Sequence, residues 1–140
     1  MTSPPLTTRE YAYISITGPG SHEEITQILG LKPSEAWNAG DTNPRNGKPR
    51  TFMVWHRSSG LDDKQPLEAH IKNLFLCMRP KVESIRKLWV DYNLTLCCVG
   101  YFHPSGHGMH FNREQIRQAA QLGLSFDLDF YYLDDHGHEV

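Results

Sequence analysis

Three sets of side chains in this sequence have types and spacings that could support chemistry. The first comprises His103, His107 and His110, three and four residues apart in a segment rich in glycine and proline. Imidazole nitrogens so placed could converge on zinc at about 2.0 to 2.1 Å. The spacing matches no established metal site, however, and histidines in such a loop are usually solvated. We therefore expect no bound metal or cofactor, and keep these three histidines only as candidates.

The second set is a pair of carboxylates, Asp127 and Asp129, in a segment that alternates apolar and polar residues like a strand. Side chains two positions apart on a strand leave the same face, with backbones about 7 Å apart. That separation would suit acid–base work on a substrate, which also needs a cleft and a shifted pKa. The sequence favours the alternative, an exposed polar face of a sheet.

The third set surrounds a long connection, rich in glycine, proline and asparagine, within residues 37–55. Asp41 could accept hydrogen bonds from loop amides or pair with an arginine, while the tryptophans at either end could wall a pocket or stack on an arginine. In the architectural alternative, Asp41 forms a turn and the tryptophans fill the core. The candidate binding residues at this loop and on a neighbouring open sheet face are Trp37, Asp41, Arg50, Trp55, Tyr13 and Asp129.

Size and composition restrict the class of protein. A chain of 140 residues is most simply one domain that buries about two-thirds of its unfolded surface. Its three cysteines have no metal-type spacing and no apolar N-terminal segment precedes them, so we expect a cytoplasmic protein. The net charge of −2 gives no general attraction to nucleic acid or anionic lipid. Neither nucleic acid nor a membrane is therefore an expected partner.

The hydrophobic pattern predicts strands and helices that alternate along the chain. Strands are predicted over residues 11–17, about 51–57, 94–102 and 124–132. Helices are predicted after the capping residues Ser21 and Asn112, and after Pro66, with a kink or break at Pro80. We expect residues 1–9 to form a disordered lead, residues 10–134 a single α+β domain, and residues 135–140 a flexible tail.

Two of these predicted helices resemble each other. Each begins at a polar cap, follows a strand and a Gly/Pro loop, and ends in Leu-Gly-Leu. This similarity favours two pseudo-repeated strand–helix–strand halves joined by a long kinked helix. The sheet should be mostly antiparallel or mixed, with helices packed on one face. The other, polar and aromatic face should stay open, because Asp127 and Asp129 would be costly to bury unpaired.

Several motifs together resemble the bacterial family called domain of unknown function 4279. They are the opening Tyr-Ala-Tyr-Ile-Ser-Ile, the helix end Leu-Gly-Leu-Lys-Pro, the motif Trp37-x-x-Gly40-Asp41, Arg50 before a strand that ends in Trp55, and the closing Leu-Gly-Leu-Ser-Phe-Asp-Leu-Asp-Phe-Tyr. The resemblance extends over about residues 11–133. It implies no assigned activity and no catalytic residue.

The sequence contains no glycine-rich phosphate loop, no serine-hydrolase motif and no zinc-hydrolase signature. We therefore expect a non-enzymatic cytoplasmic binding domain that acts on a protein partner, such as the protective, immunity-type partner of a bacterial toxin. The alternative is a small-molecule-binding protein or a hydrolase-like enzyme. It would use Asp127 and Asp129, or the histidine loop over residues 103–110.

Overall fold

The structure is a computed structural model that describes residues 8–103 and 108–133. Five strands form one sheet in the order β2-β3-β1-β4-β5, in which β4 and β5 are parallel and the other neighbours are antiparallel. The elements in chain order are β1 (Arg9–Thr17), α1 (His22–Leu29), β2 (Glu35–Trp37), β3 (Val54–Ser58), α2 (Leu67–Met78), a 3-10 turn (Arg79–Lys81), α3 (Val82–Arg86), β4 (Asn93–Phe102), α4 (Arg113–Gln121) and β5 (Ser125–Tyr132). The predicted α+β class with a mixed sheet is confirmed.

The sheet is built on the pairing of β1 with β4, which runs from Arg9 opposite Tyr101 to Thr17 opposite Asn93. Both strands have neighbours on each side, so their backbone groups are paired along both edges. Because successive residues of a strand point to opposite faces, this register sorts the side chains of the two strands into two layers. The apolar run of β4 on both faces predicts such an interior position, and the structure confirms it.

One face of the sheet carries the hydrophobic core. Inward-facing residues of β1, β3 and β4 form one cluster with residues of all four helices. From the strands this cluster takes Ala12, Ile14, Ile16, Trp55, Leu94, Leu96 and Cys98, and from the helices and their ends it takes Ile25, Leu29, Leu67, Ile71, Leu74, Phe75, Met78, Ile85, Leu88, Ala119 and Leu122. Cys97 and Val99, which alternate with these residues on β4, are buried but lie outside that cluster. The helices therefore pack on one face of the sheet.

The helix boundaries follow their local capping chemistry. At the start of α1 the Ser21 hydroxyl oxygen accepts a hydrogen bond from the Glu24 backbone N–H at 3.2 Å. At the start of α4, Asn112 and Gln115 form a reciprocal capping box. Gly30 and Gly123 follow the two helices with φ of 66° and 70°, a left-handed conformation that favours glycine. Both predicted helix starts and both predicted stops are confirmed.

Three boundaries differ from the sequence prediction. Residues 35–37 form a short strand in addition to the four predicted ones, so Trp37 ends β2 instead of opening a loop, and β3 begins only at Val54. A strand of three residues is too short to show a two-residue period, which explains why it escaped prediction. β1 begins at Arg9, one residue inside the predicted lead. Residues 1–7 and 134–140 lie outside the described part of the chain.

Helical structure continues from residue 67 to residue 86 in three pieces. α2 ends at Met78, a 3-10 turn contains Pro80, and α3 starts at Val82. Proline has no N–H to donate and its ring clashes with the carbonyl four residues back, which accounts for a break at this point. Within the described ranges, no helix is both long and apolar enough to cross a membrane.

The two strand–helix–strand units have different strand pairing. β4 and β5 are parallel neighbours joined through α4, whereas β3 lies between β1 and β2. The capping similarity of α1 and α4 is therefore not matched by the arrangement of the strands around them.

Glycine substitutions at two positive-φ positions test the packing at the end of α4. Alanine at Gly47 (φ 68°) meets open space, whereas alanine at Gly123 (φ 70°) would clash with the indole ring of Trp89. Both variants should lose stability because alanine disfavours positive φ. Gly123→Ala should lose about 1 to 2 kcal/mol more than Gly47→Ala, because of the overpacking. Urea unfolding of both variants measures this difference, and equal losses would contradict the described contact.

Candidate functional site

The face of the sheet opposite the helices is polar and aromatic, and we refer to it as the open sheet face. The strand register aligns Tyr13, Cys97 and Asp127 in one row across β1, β4 and β5, and Tyr11, Val99 and Asp129 in the next. The full set of residues on this face is Glu35, Trp37, Val54, His56, Ser58, Arg9, Tyr11, Tyr13, Ser15, Thr95, Cys97, Val99, Tyr101, Ser125, Asp127, Asp129 and Tyr131.

At one end of this face, an arginine stacks on a tryptophan. The guanidinium carbon of Arg50 lies 3.8 Å from the centre of the Trp37 ring, a geometry typical of a cation–π contact. Its Nε atom is buried and has no hydrogen-bond partner among the described residues. Stacking therefore holds the planar side chain of Arg50 against the end of β2.

Asp41 organises the loop over residues 38–53, which carries Arg50. Its carboxylate accepts a hydrogen bond from the backbone N–H of Asn38 at 2.8 Å, and its carbonyl accepts one from Arg50 N–H at 2.6 Å. Gly40 N–H donates to the Arg50 carbonyl at 2.8 Å. The architectural interpretation of Asp41 as a turn former is the one that this geometry supports.

The same loop is fixed to the start of α1. The side-chain oxygen of Asn38 accepts a hydrogen bond from His22 N–H at 2.8 Å, and its amide nitrogen donates to the Glu23 carboxylate at 2.9 and 3.0 Å. Beside it, a cavity of about 290 Å³ is lined by Trp37, Arg50 and residues of the 38–53 loop. The loop therefore presents an ordered surface next to the open sheet face.

His56 connects Trp37 to the middle of the open sheet face. Its ring centre lies 4.7 Å from that of Tyr13 and 6.2 Å from that of Trp37. Burial lowers the pKa of His56 from 6.5, although the Glu35 carboxylate, 3.7 Å from Nδ1, acts in the opposite direction. The imidazole is therefore neutral near pH 7. A cavity of about 360 Å³ beside these rings is lined by Tyr11, Tyr13, Glu35 and His56, with Ala12, Ser34, Ser58, Ser59 and Leu61.

The cysteines of β4 point to opposite sides of the sheet. Cys97 lies beside Tyr13 on the open sheet face, and Cys98 lies in the core. Burial raises the pKa of the Cys97 thiol, and it raises that of Cys98 to about 12. Burial and the neighbouring Cys97 also raise the pKa of Tyr13. Both thiols are protonated near neutral pH, so neither has the character of a nucleophile.

A second arginine–aromatic stack lies at the other end of the open sheet face. The guanidinium carbon of Arg9 is 4.0 Å from the Tyr101 ring centre, and Tyr101 stacks on Tyr131 with centres 4.7 Å apart and planes 15° apart. Arg9 Nε is also buried, with no partner among residues that the structure describes. The sequence prediction omits Arg9 because it places residues 1–9 in the lead. The two-residue spacing between Arg9 and Tyr11 indicates that both side chains leave the same face of a strand.

Trp55 is placed apart from the other five predicted binding residues. It is fully buried on the helix side of β3, where its indole N–H donates to the Thr26 hydroxyl at 3.1 Å. The prediction that Trp55 contributes to a binding surface is therefore wrong, and its role is to fill the core. Its partner opposite on β2 is Ala36, so the neighbouring Trp37 faces the other way.

The remaining predicted residues share one side of the molecule. Trp37 and Tyr13 are linked through His56, while Asp41 and Arg50 adjoin them in the 38–53 loop. Asp129 lies two strands from Tyr11, on the exposed surface of β5. It is part of the open sheet face but belongs to its far edge.

The histidine candidates are only partly covered by the structure. His103 and His110 lie in the described ranges, whereas His107 lies in residues 104–107, outside them. Among the described residues, no three or more His, Cys, Asp or Glu side chains are grouped so that they could hold a metal ion. The possible convergence of all three histidines stays a prediction.

These features define a small α+β domain with helices on one face of a mixed sheet and an open, aromatic second face. Its family matches the resemblance seen in the motifs. The chain belongs to the family described as Domain of unknown function (DUF4279), whose model matches residues 7–133. No curated protein and no solved structure gives a match to the chain.

Asp41 provides a test of how the loop is held. Asp41→Ala removes the acceptor for Asn38 N–H and should destabilise the protein by about 1 kcal/mol, the usual cost of losing such a side-chain cap. Asp41→Asn keeps an acceptor oxygen and should lose less than half as much. Thermal unfolding of the two variants separates a turn-forming role from a requirement for negative charge, since equal losses would indicate the latter.

His56 predicts a pH-dependent contribution to stability. With its pKa lowered on folding, the unfolded chain binds more protons than the folded one as pH falls below about 6.5. The free energy of unfolding should therefore decrease as the pH is lowered below about 6.5. The variant His56→Gln should show a smaller decrease. Urea unfolding between pH 7 and 5 measures it. An NMR titration midpoint for His56 at or above 6.5 would contradict the prediction.

Proposed function

We propose that this chain is a non-enzymatic binding domain that holds a protein partner on its open sheet face and 38–53 loop. One observation carries the proposal. Two arginine–aromatic stacks, Arg50 on Trp37 and Arg9 on Tyr101, stand at opposite ends of a face that the core-forming helices do not cover. Arginine and large aromatic residues are the types that contribute most to protein–protein binding energy.

The dimensions of the face favour a macromolecular partner. Five adjacent strands about 4.8 Å apart span roughly 19 Å from β2 to β5. The stacked rings and guanidinium groups are already held in place, which lowers the entropy lost on binding. A wide surface with aromatic rings at several positions is better matched to another protein than to a small ligand.

The chemistry of the same residues supports a binding role over a catalytic one. Cys97 is a protonated thiol and His56 is neutral and half-buried. Asp127 and Asp129 are exposed on β5 and do not line the 360 Å³ cavity beside Tyr13. The alternative, a small-molecule-binding protein or hydrolase-like enzyme using these aspartates or the 103–110 loop, has less support because it requires an enclosed carboxylate pair.

The specific form that we propose is a cytoplasmic, protective partner of a bacterial toxin. A protective protein needs a broad rigid surface and no active site of its own. Support comes from the aromatic face and from the exposed acids on β5, which would complement a basic partner.

Co-expression with the product of the neighbouring gene tests this function. If that product arrests growth, the unmodified chain should restore growth and bind it with measurable affinity in calorimetry. Arg50→Ala should weaken binding roughly tenfold or more, as expected for an arginine at an interface hot spot. The control Leu76→Ala removes a side chain that is 52% exposed on the helix side, and should leave binding within about twofold.

Equal effects of Arg50→Ala and Leu76→Ala would contradict the proposed surface. A neighbouring metabolic gene, with no binding to its product but saturable binding of its metabolite, would instead favour the small-molecule alternative. Circular dichroism of each variant ensures that binding is compared between folded proteins.

We also propose that the chain consists of two pseudo-repeated halves joined by a kinked helix. The shared side-chain caps at Ser21 and Asn112 and the left-handed glycines Gly30 and Gly123 support the repeat, which is restricted to the helices because the strands around them pair differently. The 3-10 turn at Pro80 supports the kink.

A further inference from the structure

β5 lies at the edge of the sheet and has unusual properties for an edge strand. It pairs with β4 along its whole length of eight residues, Ser125–Tyr132. Within residues 8–103 and 108–133, no strand pairs with its other side. We refer to that side as the β5 edge. It presents a row of backbone donors and acceptors long enough to pair with another strand.

The sequence of β5 has few of the common protections of an edge strand. Natural edges are usually kept short, or carry charged side chains, proline or a bulge, and of these Ser125–Tyr132 has only the charges of Asp127 and Asp129. The opposite edge, β2, has only three residues, whereas Ser125–Tyr132 contains no lysine, proline or glycine. Its helix-side residues Leu128, Phe130 and Tyr132 remain 46%, 37% and 43% exposed. An incoming strand would cover part of this apolar surface.

The two faces of β5 define the side chains that such a strand should carry. Asp127 and Asp129 project from the open sheet face, and Leu128 and Phe130 project from the opposite face. Residues directly opposite each other on paired strands interact, and opposite charges in these positions stabilise the pair. Charge complementarity therefore calls for lysine or arginine opposite the aspartates, alternating with apolar residues opposite Leu128 and Phe130.

We propose that the β5 edge binds a β-strand of the partner protein in which basic and apolar residues alternate. This deepens the proposed function and rests on it, because the occupant is part of a protein partner. Backbone hydrogen bonds extend the sheet by a sixth strand, and the basic side chains fix its register over Asp127 and Asp129.

A second copy of this chain fits the β5 edge poorly. If two β5 strands paired antiparallel with Leu128 opposite Leu128, Asp127 of each copy would lie opposite Asp129 of the other. Both of these aspartate pairs would lie on the same face of the sheet. Pairing about Asp127 would set that residue opposite its own counterpart. Like charges in these positions are destabilising, so the aspartates disfavour these two self-pairing registers while they attract a basic strand.

A synthetic peptide tests the inference directly on the full-length chain. The probe is an eight-residue peptide of alternating lysine and valine, blocked at both ends, with binding followed by fluorescence anisotropy at low salt. Saturable binding is expected. Replacing Asp127 and Asp129 together by asparagine should weaken it roughly tenfold, the effect of losing two exposed charge pairs.

Two controls separate strand addition from general attraction to acids. The double variant Glu83→Gln, Asp91→Asn removes the same charge from exposed positions at the α3 end of the molecule, and should leave affinity within about twofold. A peptide of the same composition with all lysines first should bind at least roughly fivefold more weakly, since it cannot alternate. A peptide N-methylated at alternate residues should bind more weakly still, because it loses backbone donors.

Absence of saturable binding would overturn the inference, as would equal binding of the reordered peptide or an equal effect of the two double variants. These results are independent of the co-expression test. If the neighbouring product binds but the peptide does not, the β5 edge inference fails alone. If the peptide binds as described but no neighbouring product is recognised, only the proposed function fails.

Discussion

The antiparallel pairing of β1 with β4 is the constraint on which the rest of this structure depends. It joins strands from the two halves of the chain in one register, with Ile14 opposite Leu96 and Tyr13 opposite Cys97. A shift of either strand by one residue would exchange its core and outer faces, because side chains alternate with a period of two. That register separates the helix-covered core from the open sheet face. It also determines where β3 and β5 pair, so the geometry of the open sheet face and of the β5 edge depends on this strand pair.

Much of the fold follows from local sequence, and the placement of the candidate residues does not. The period of β1, the apolar run of β4 and the caps at Ser21 and Asn112 can be read directly, because each depends on neighbours a few residues away. β2 could not be found, since three residues show no period. The two tryptophans of the predicted site face opposite sides because Ala36 pairs with Trp55, a long-range contact that the sequence does not reveal. The Arg9 stack required the same kind of knowledge.

The side chains at the centre of the open sheet face are uncharged near neutral pH, and the arginines at its ends are held in place by stacking. Thiols and the Tyr13 hydroxyl on or under it stay protonated because burial raises their pKa values, and the same burial keeps His56 neutral. The guanidinium groups of two arginines lie over aromatic rings with a buried Nε, which restricts the motion of these side chains. In the proposed binding role this surface would be recognised mainly by shape, because its charges lie at its margins. Desolvation of the two buried arginine Nε groups costs free energy, and stacking on the rings only partly offsets that cost.

The parallel pairing of β4 with β5 has a further consequence for folding. Parallel neighbours need a crossover, here α4, and cannot be joined by a tight hairpin. The connection must close before the two strands can pair, which makes the addition of β5 intrinsically slower than the addition of a hairpin strand. Until β5 pairs, one side of β4, which is apolar on both faces, stays uncovered. Unpaired strand edges of this kind make folding intermediates prone to aggregation.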